Sequence, residues 1–178
     1  TISDLNFGMY REDVDTARII RSVIDEYGWP ERVDASQGKS HPERVLEVTS
    51  IINQGGKGVL RLGASLQSTD KGVLREIKRK NLSVDDLLWM RDRQYEQINE
   101  HQELFTELIL ALPGDTVEKH YASIKDSLDV LGVNNIDVHQ LTLLKGSEMA
   151  DWEVLGTRPN DQFDVRHRVF VGCLGIYN

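Results

Sequence analysis

Leu104–Thr116 reads LFTELILALPGDT, and the fold follows from how this stretch is read. Leu108, Ile109, Leu110, Ala111 and Leu112 form an unbroken apolar run. A strand with one face in water would alternate, so the run predicts a strand covered on both faces, as in a parallel α/β sheet. Pro113-Gly114 ends it, and Asp115 or Thr116 is expected to cap the next helix, Asp115 and Glu118 having the spacing of a capping box. Tyr121, Ile124, Leu128 and Leu131 then recur at helical spacing, which predicts a buried stripe, and Gly132 stops the helix. This is one βα unit, and the rest of the chain reads as repeats of it.

Working outward, Thr1–Leu5 is expected to end a short strand. A helix follows from about Arg11 to Tyr27, with Val14, Ala17, Ile20 or Arg21, Ile24 and Tyr27 on one stripe, stopped by Gly28 and Pro30. Arg32–Ser36 is a weaker strand. Ser40 or His41 caps a helix with Pro42 in its first turn, whose buried face is Val45, Val48, Ile51 and Ile52. A third strand covers Leu60–Leu66. Thr69 or Asp70 caps a short helix through Lys80, and Ser83 with Asp86 opens a longer one to about Glu100. After the central unit comes a fifth strand, Asn135–Leu143, and a last short helix near Glu148–Leu155. Strands at this spacing, about every 30 residues, imply a parallel sheet joined by right-handed crossovers. His167–Leu174 alternates enough for a strand but has no evident place. The expected division is a barrel-like part over 1–155 and a C-terminal extension over 156–178.

Composition narrows the function. A chain of 178 residues makes one domain the default. A net charge of −8 argues against a nucleic-acid partner, which needs a basic face. No apolar run approaches the roughly 20 residues of a membrane span, and no signal peptide is evident. The single Cys173 excludes an internal disulfide framework and points to the cytoplasm. The chain opens on Thr1-Ile2 in ordered-looking sequence without an initiating Met, which predicts a piece of something longer.

In parallel α/β folds, chemistry sits at the C-terminal ends of the strands. The residues expected there are Asp4 and Asn6, Gln37 and Lys39, Ser65, Gln67 and Ser68, Leu112, Pro113 and Gly114, and His139, Gln140 and Thr142. They suit a polar small molecule, but they include no paired carboxylates, nucleophile–histidine pair or ligand cluster. His41, His101, His120, His139 and His167 are scattered without metal spacing, so no metal site is expected from this chain alone. Arg75–Lys80 reads as a solvated helix end. Gly55-Gly56-Lys57-Gly58 follows a helix, which is the wrong context for a phosphate loop.

Four separated segments resemble the radical S-adenosylmethionine (radical SAM) superfamily, and within it the branch often joined to an upstream cobalamin-binding domain. ISDLNFGM at Ile2–Met9 is similar to the "DxNFG" segment ending the second barrel strand. GASLQSTDKGVLREIKRKN at Gly63–Asn81 resembles "xxQSxxxxVLxxIxRxN" at the fourth strand. ELILALPGDT resembles "E-[LI]-I-x-G-[LF]-P-G-E-T" at the fifth, with Ala111 where glycine is usual and Asp115 where glutamate is usual. VHQLTLLKGSEM resembles "VyxLxxLPGSEL" at the sixth, with Lys145 in place of proline. Together they cover about Ile2 to Met149, in register. The departure is the absence of the three cysteines, CxxxCxxC, that hold the family's [4Fe–4S] cluster after the first strand.

The resemblance implies an α/β fold, a partial TIM-like barrel of parallel strands lacking the first of six. It implies a parent enzyme that reductively cleaves S-adenosylmethionine (SAM) to a 5′-deoxyadenosyl radical, acting on a small-molecule or other unknown substrate. The cluster ligands would lie outside this chain, and cobalamin would come through an upstream domain. Carried over by position, Asp4 and Asn6 meet the methionyl end of SAM, and Ser65 and Gln67 lie near its ribose and carboxylate. Leu110, Leu112 and Pro113 flank the adenine, and Gln140 and Leu141 give the sixth-strand contact. Arg79 reads either as a partner of the SAM carboxylate or as a surface arginine. Two other readings stay open: a non-catalytic SAM-binding or protein-interaction barrel, and an unrelated TIM-like enzyme using Asp4, Lys39 or Asp115 in acid–base work. Without the first strand, the open sheet edge along Thr1–Leu5 is expected to self-associate or to be covered by the C-terminal segment.

Overall fold

The first helix, α1 (Glu12–Tyr27), ends where Gly28 turns left-handed at φ 69° and donates its N–H to Ile24 O at 2.8 Å. It buries Val14, Ala17 and Ile24, whereas Tyr27, expected on the same stripe, is exposed. α2 (Pro42–Ile52) starts on proline, whose missing N–H needs no partner there. Then follow β1 (Leu62–Gln67), α3 (Lys71–Glu76), α4 (Val84–Gln97), β2 (Leu104–Leu110), α5 (Val117–Asp129) and β3 (Asn135–Gln140). This computed structural model describes residues 1–38, 40–56, 58–97, 104–142, 144 and 147. The chain divides into two units, Thr1–Gln140 and Leu141–Asn178. The tail strand, the last short helix and Leu143 fall outside the described residues.

The helix starts follow the side chains. Asp70 accepts from Val73 N–H at 2.8 Å and caps α3. Ser83 and Asp86 cap α4 reciprocally, Asp86 N–H on Ser83 Oγ at 3.0 Å and Ser83 N–H on Asp86 Oδ2 at 3.3 Å. Before α5 the cap is Thr116, which accepts from Lys119 N–H at 3.3 Å. The Asp115–Glu118 capping box is therefore not the one used, because Asp115 turns back onto its own loop. The Val73 N–H bond, joined by Lys119 nearby, holds the Asp70 carboxyl below its ordinary value. A depressed carboxyl stabilises the fold above its unfolded pKa, and the stabilisation disappears as pH falls through the folded value. Asp70→Ala should lower stability by about 1 kcal/mol at neutral pH. Urea midpoints of variant and parent should converge as the medium is taken below the normal carboxylate range.

The sheet is three-stranded and parallel, in the order β1-β2-β3. β2 lies in the middle, with Phe105 opposite Gly63 and Asn135, and Thr106 opposite Ala64 and Ile136. A bulge sets in after Ala64, so that Gln67 pairs with Leu108. One face carries the helices. Leu62 and Leu104 cluster there with Val45 of α2 and Met90 of α4, and Leu66 and Leu108 cluster with Leu131. The other face carries Gly63, Ser65, Phe105, Glu107, Ile109, Asn135, Asp137 and His139 by strand alternation.

Three expectations are corrected. The apolar run of β2 is not covered on both faces: Leu104, Leu108 and Leu112 are buried, Ile109 is half-buried, Ala111 is exposed and Leu110 is 43% exposed. The helix face is covered as far as Leu108 and the other face only in part, and β2 ends before the run does. α5 buries His120, Ser123 and Ser127, while Tyr121 and Leu128 of the expected stripe are exposed. The small serines let the helix approach the end of β1, where Ser123 Oγ accepts from Thr69 N–H at 3.0 Å. That fixes the rotation of α5 and turns Val117, Tyr121 and Leu128 sideways. The first two strands are reduced to isolated parallel bridges, Phe7–Gln37 and Val33–Leu60. Local side-chain bonds compete with the ladder there, Asp4 Oδ1 accepting from Asn6 N–H at 2.8 Å.

Candidate functional site

The C-terminal ends of the parallel ribbons share an unusual backbone. Gln67 ends β1 at φ 64°, Ala111 follows β2 at φ 67°, and His41 follows residues 33–38 at φ 61°. A non-glycine residue in this region costs about 1–2 kcal/mol, and such strain gathers at functional sites. Ala111 is the position where the resembled motif carries glycine. Replacing it with glycine removes that strain, less the roughly 0.5–1 kcal/mol by which glycine loosens the unfolded chain. Ala111→Gly should therefore raise stability by about 0.5–1 kcal/mol, read as a shift of the urea midpoint at unchanged slope.

At the end of β1 the side chains converge. Ser65 Oγ–H donates to Glu107 Oε2 across the β1–β2 pair. Arg79 folds back so that its guanidinium donates to Ser65 O, and its Nε–H donates to Asn81 Oδ1 at 2.9 Å. Asn81 Nδ2 donates to Leu66 O at 2.8 Å and Ser68 O at 3.1 Å, which pins the bulged strand end. Burial lowers the Arg79 pKa, and the charge of Glu107 opposes that shift. Arg79 is half-buried, so it is not a simple surface arginine. On the open face Glu107 sits opposite Asp137 in register, and His139 lies two residues further along β3.

The turn after β2 forms the second wall. Gly114 adopts φ 74°, and a Cβ there would come within 3.3 Å of Glu76 Cγ. Asp115 N–H donates to Leu112 O at 2.9 Å, its Oδ1 accepts from Thr116 N–H at 3.0 Å, and Oδ2 lies 3.6 Å from His120 Nδ1. Lys119 Nζ donates to Gly114 O at 2.8 Å. Asp115 is thus occupied in holding the turn.

Of the residues expected to hold a cofactor, Ser65, Gln67, Leu110, Leu112 and Pro113 are brought to one edge by β1 and β2, Leu112 being buried. Gln140 closes β3 at the same end of the sheet. Asn6 is half-buried beside Phe7, whereas Asp4 is exposed and engaged with Asn6 N–H. Leu141 belongs to the second unit, and Lys39 lies outside the described residues. Gln37 is committed to the sheet, its amide bonding Arg61 O at 3.1 Å and Gly63 N–H at 2.8 Å. Glu107 and Asn81 lie inside the segments that resemble the family's motifs, but neither was expected as a site residue. A lone carboxylate inside an apolar strand was the signal for Glu107. Among the described residues no three His, Cys, Asp or Glu side chains are arranged to hold a metal ion. No helix among them is long and apolar enough to cross a membrane. An apolar cavity of about 40 Å³ lies on the helix face, lined by Leu62, Leu66, Leu87, Met90 and Leu104 among others. It has room for water but not for a cofactor.

No protein-family model matches the chain. Over 150 residues, 83% of its length, the chain is 30% identical to the cobalamin-dependent radical SAM methyltransferase TokK of Streptomyces tokunonensis. The chain is related to radical SAM methyltransferases. Over 145 residues, 80% of its length, it is 28% identical to the 2-(S-pantetheinyl)-carbapenam-3-carboxylate methyltransferase of Streptantibioticus cattleyicolor. The chain spans about one fifth of these relatives, 21% and 20% of their lengths. The match to TokK extends beyond the four segments that carry the radical SAM resemblance.

Proposed function

We propose that this chain forms part of the barrel of a cobalamin-dependent radical SAM methyltransferase and supplies the wall that holds SAM. The supporting observation is the edge itself. Residues expected at a SAM site from their motif positions meet at the C-terminal ends of β1 and β2, where Gln67 and Ala111 carry left-handed backbone. Ser65, Gln67 and Glu107 offer acceptors and donors for a ribose, and Glu107 is held ready by Ser65 and the field of Arg79. Pro113 gives an apolar surface for adenine at the turn after β2, where Leu112 is buried. Asn6 and Gln140 complete the wall, with Asp4 at the methionyl end. In this reading β1, β2 and β3 are the fourth, fifth and sixth strands of a six-stranded barrel, the bridged segments at Phe7 and Val33 stand for the second and third, and a small-molecule substrate approaches the open face.

The chain does not fit an iron–sulfur cluster. Three thiolates are needed and it has one cysteine, Cys173. A cluster would have to be held by another part of the polypeptide, as would any cobalamin. What these residues do is bind and orient the nucleoside and keep water from it. Anaerobic treatment with iron and sulfide should leave no cubane signal in the EPR spectrum after reduction. A reduced [4Fe–4S] signal on the isolated chain would contradict this assignment.

Titration with SAM, followed by amide chemical shifts, tests the reading. Shifts should concentrate in residues 65–68 and 110–114, and Gln67→Ala and Glu107→Ala should weaken binding at least tenfold. No shifts at either segment, or unchanged binding in both variants, would refute it.

A further inference from the structure

Between residues 33–38 and β1 the backbone ladder among the described residues is the Val33–Leu60 bridge, with Val33 N–H on Val59 O at 2.8 Å. Side chains take over from there, with the Asp34 carboxylate 3.5 Å from Arg61 Nη2 and two side-chain amides beside it. Gln37 Nε2–H donates to Arg61 O at 3.1 Å, and Gln37 Oε1 accepts from Gly63 N–H at 2.8 Å. A residue in a parallel ladder bonds the residues before and after its partner. The Gln37 amide therefore stands where a peptide group opposite Leu62 would stand. Its Nε2 also bonds Thr49 Oγ1 at 3.1 Å, which ties it to α2. Asn53 makes a similar pair with Leu60, donating to its O at 2.8 Å and accepting from its N–H at 2.7 Å.

The packing divides along the same line. Phe7, Val14, Ala17, Ile24, Val33, Val48 and Ile52 form one core cluster that reaches only Val59 and Leu60 beyond the seam. β1 and β2 belong to two other clusters, and Val45 of α2 is the N-terminal residue in them. A side-chain tie is released by rotation about its own χ angles. A β1–β2 ladder breaks only when main chain moves. Regions held by few backbone bonds open first.

We propose that this seam is the line along which the fold opens: residues 33–38 part from β1 while the three-stranded sheet stays closed, and the Gln37 side chain is the latch. Val45, packed against Met90 of α4, is the pivot. Opening uncovers the flank of Gly63 and Ser65 on the open face and gives a ligand a lateral route to the strand ends. The device is independent of which ligand binds.

Hydrogen exchange of the whole chain, read residue by residue and corrected for intrinsic rates, tests it. In the parent protein the Gly63 amide should exchange at least tenfold faster than the β2 amides of Thr106 and Leu108. Gln37→Leu should speed Gly63 a further tenfold and leave those β2 amides unchanged. Gln37→Glu keeps the acceptor for Gly63 and loses the donor to Arg61 O, so its effect on Gly63 should be smaller. Gly63 exchanging in step with β2 in the parent would overturn the proposal. So would Gln37→Leu accelerating β2 as much as Gly63, since the amide would then stabilise the fold as a whole. If Gln37→Leu does not fold, the parent comparison and Gln37→Glu decide.

Discussion

Gly63→Ala should destabilise the chain by about 3 kcal/mol, the upper part of the range for overpacking. A Cβ on Gly63 would lie 2.3 Å from two ring carbons of Phe105 and 2.6 Å from Phe105 O. The ring could move, but the carbonyl is part of the central strand. Phe105 is also held by Arg61, whose guanidinium lies 4.7 Å from its ring centroid. A double variant, Gly63→Ala with Phe105→Leu, should therefore recover only part of the loss, because the backbone contact remains. Chemical denaturation of the two variants and of Phe105→Leu alone closes the cycle. Full recovery in the double variant would mean that the ring carries the whole clash.

Leu108→Ala should cost about 4 kcal/mol, while Leu110→Ala should cost only about 1 kcal/mol. Both leucines belong to the same apolar run, but Leu108 is 0% exposed among Leu66 and Leu131, and Leu110 is 43% exposed. Truncating a fully buried leucine loses its transfer energy and leaves a cavity. A residue already half in water loses a fraction of the transfer term and leaves no void. Urea midpoints shifted equally by the two variants would show that Leu110 is covered in solution.

The βα rhythm was legible because each unit carries its own stop and start. Gly28, Pro42, Asp70 and the Ser83–Asp86 pair end or begin helices as their chemistry dictates. The central strand was legible from its apolar run, yet its burial was not, since consecutive apolar residues do not say which face has a partner. The rotation of α5 was hidden for a related reason. Ser123 and Ser127 are inward because they are small, Ser123 bonding the end of β1 and Ser127 Oγ donating to Ser123 O within the helix, and polarity alone places them outside. For the site, the strand ends were readable from alternation. The roles of Gln37, Arg79 and Asn81 were not, because each bonds backbone atoms distant in sequence.

Left-handed backbone at His41, Gln67 and Ala111 sets two selections against each other. Variants chosen for thermal survival should collect glycine at these three positions, since each substitution relieves a local cost. Variants chosen for holding a ligand should keep the side chain at 67, where an amide projects from the strand end, and be indifferent at 111, where a methyl group has little to offer. A deep mutational scan run under both pressures would separate the codons accordingly. Divergence between the two outcomes at one position would mark where this edge trades rigidity for chemistry.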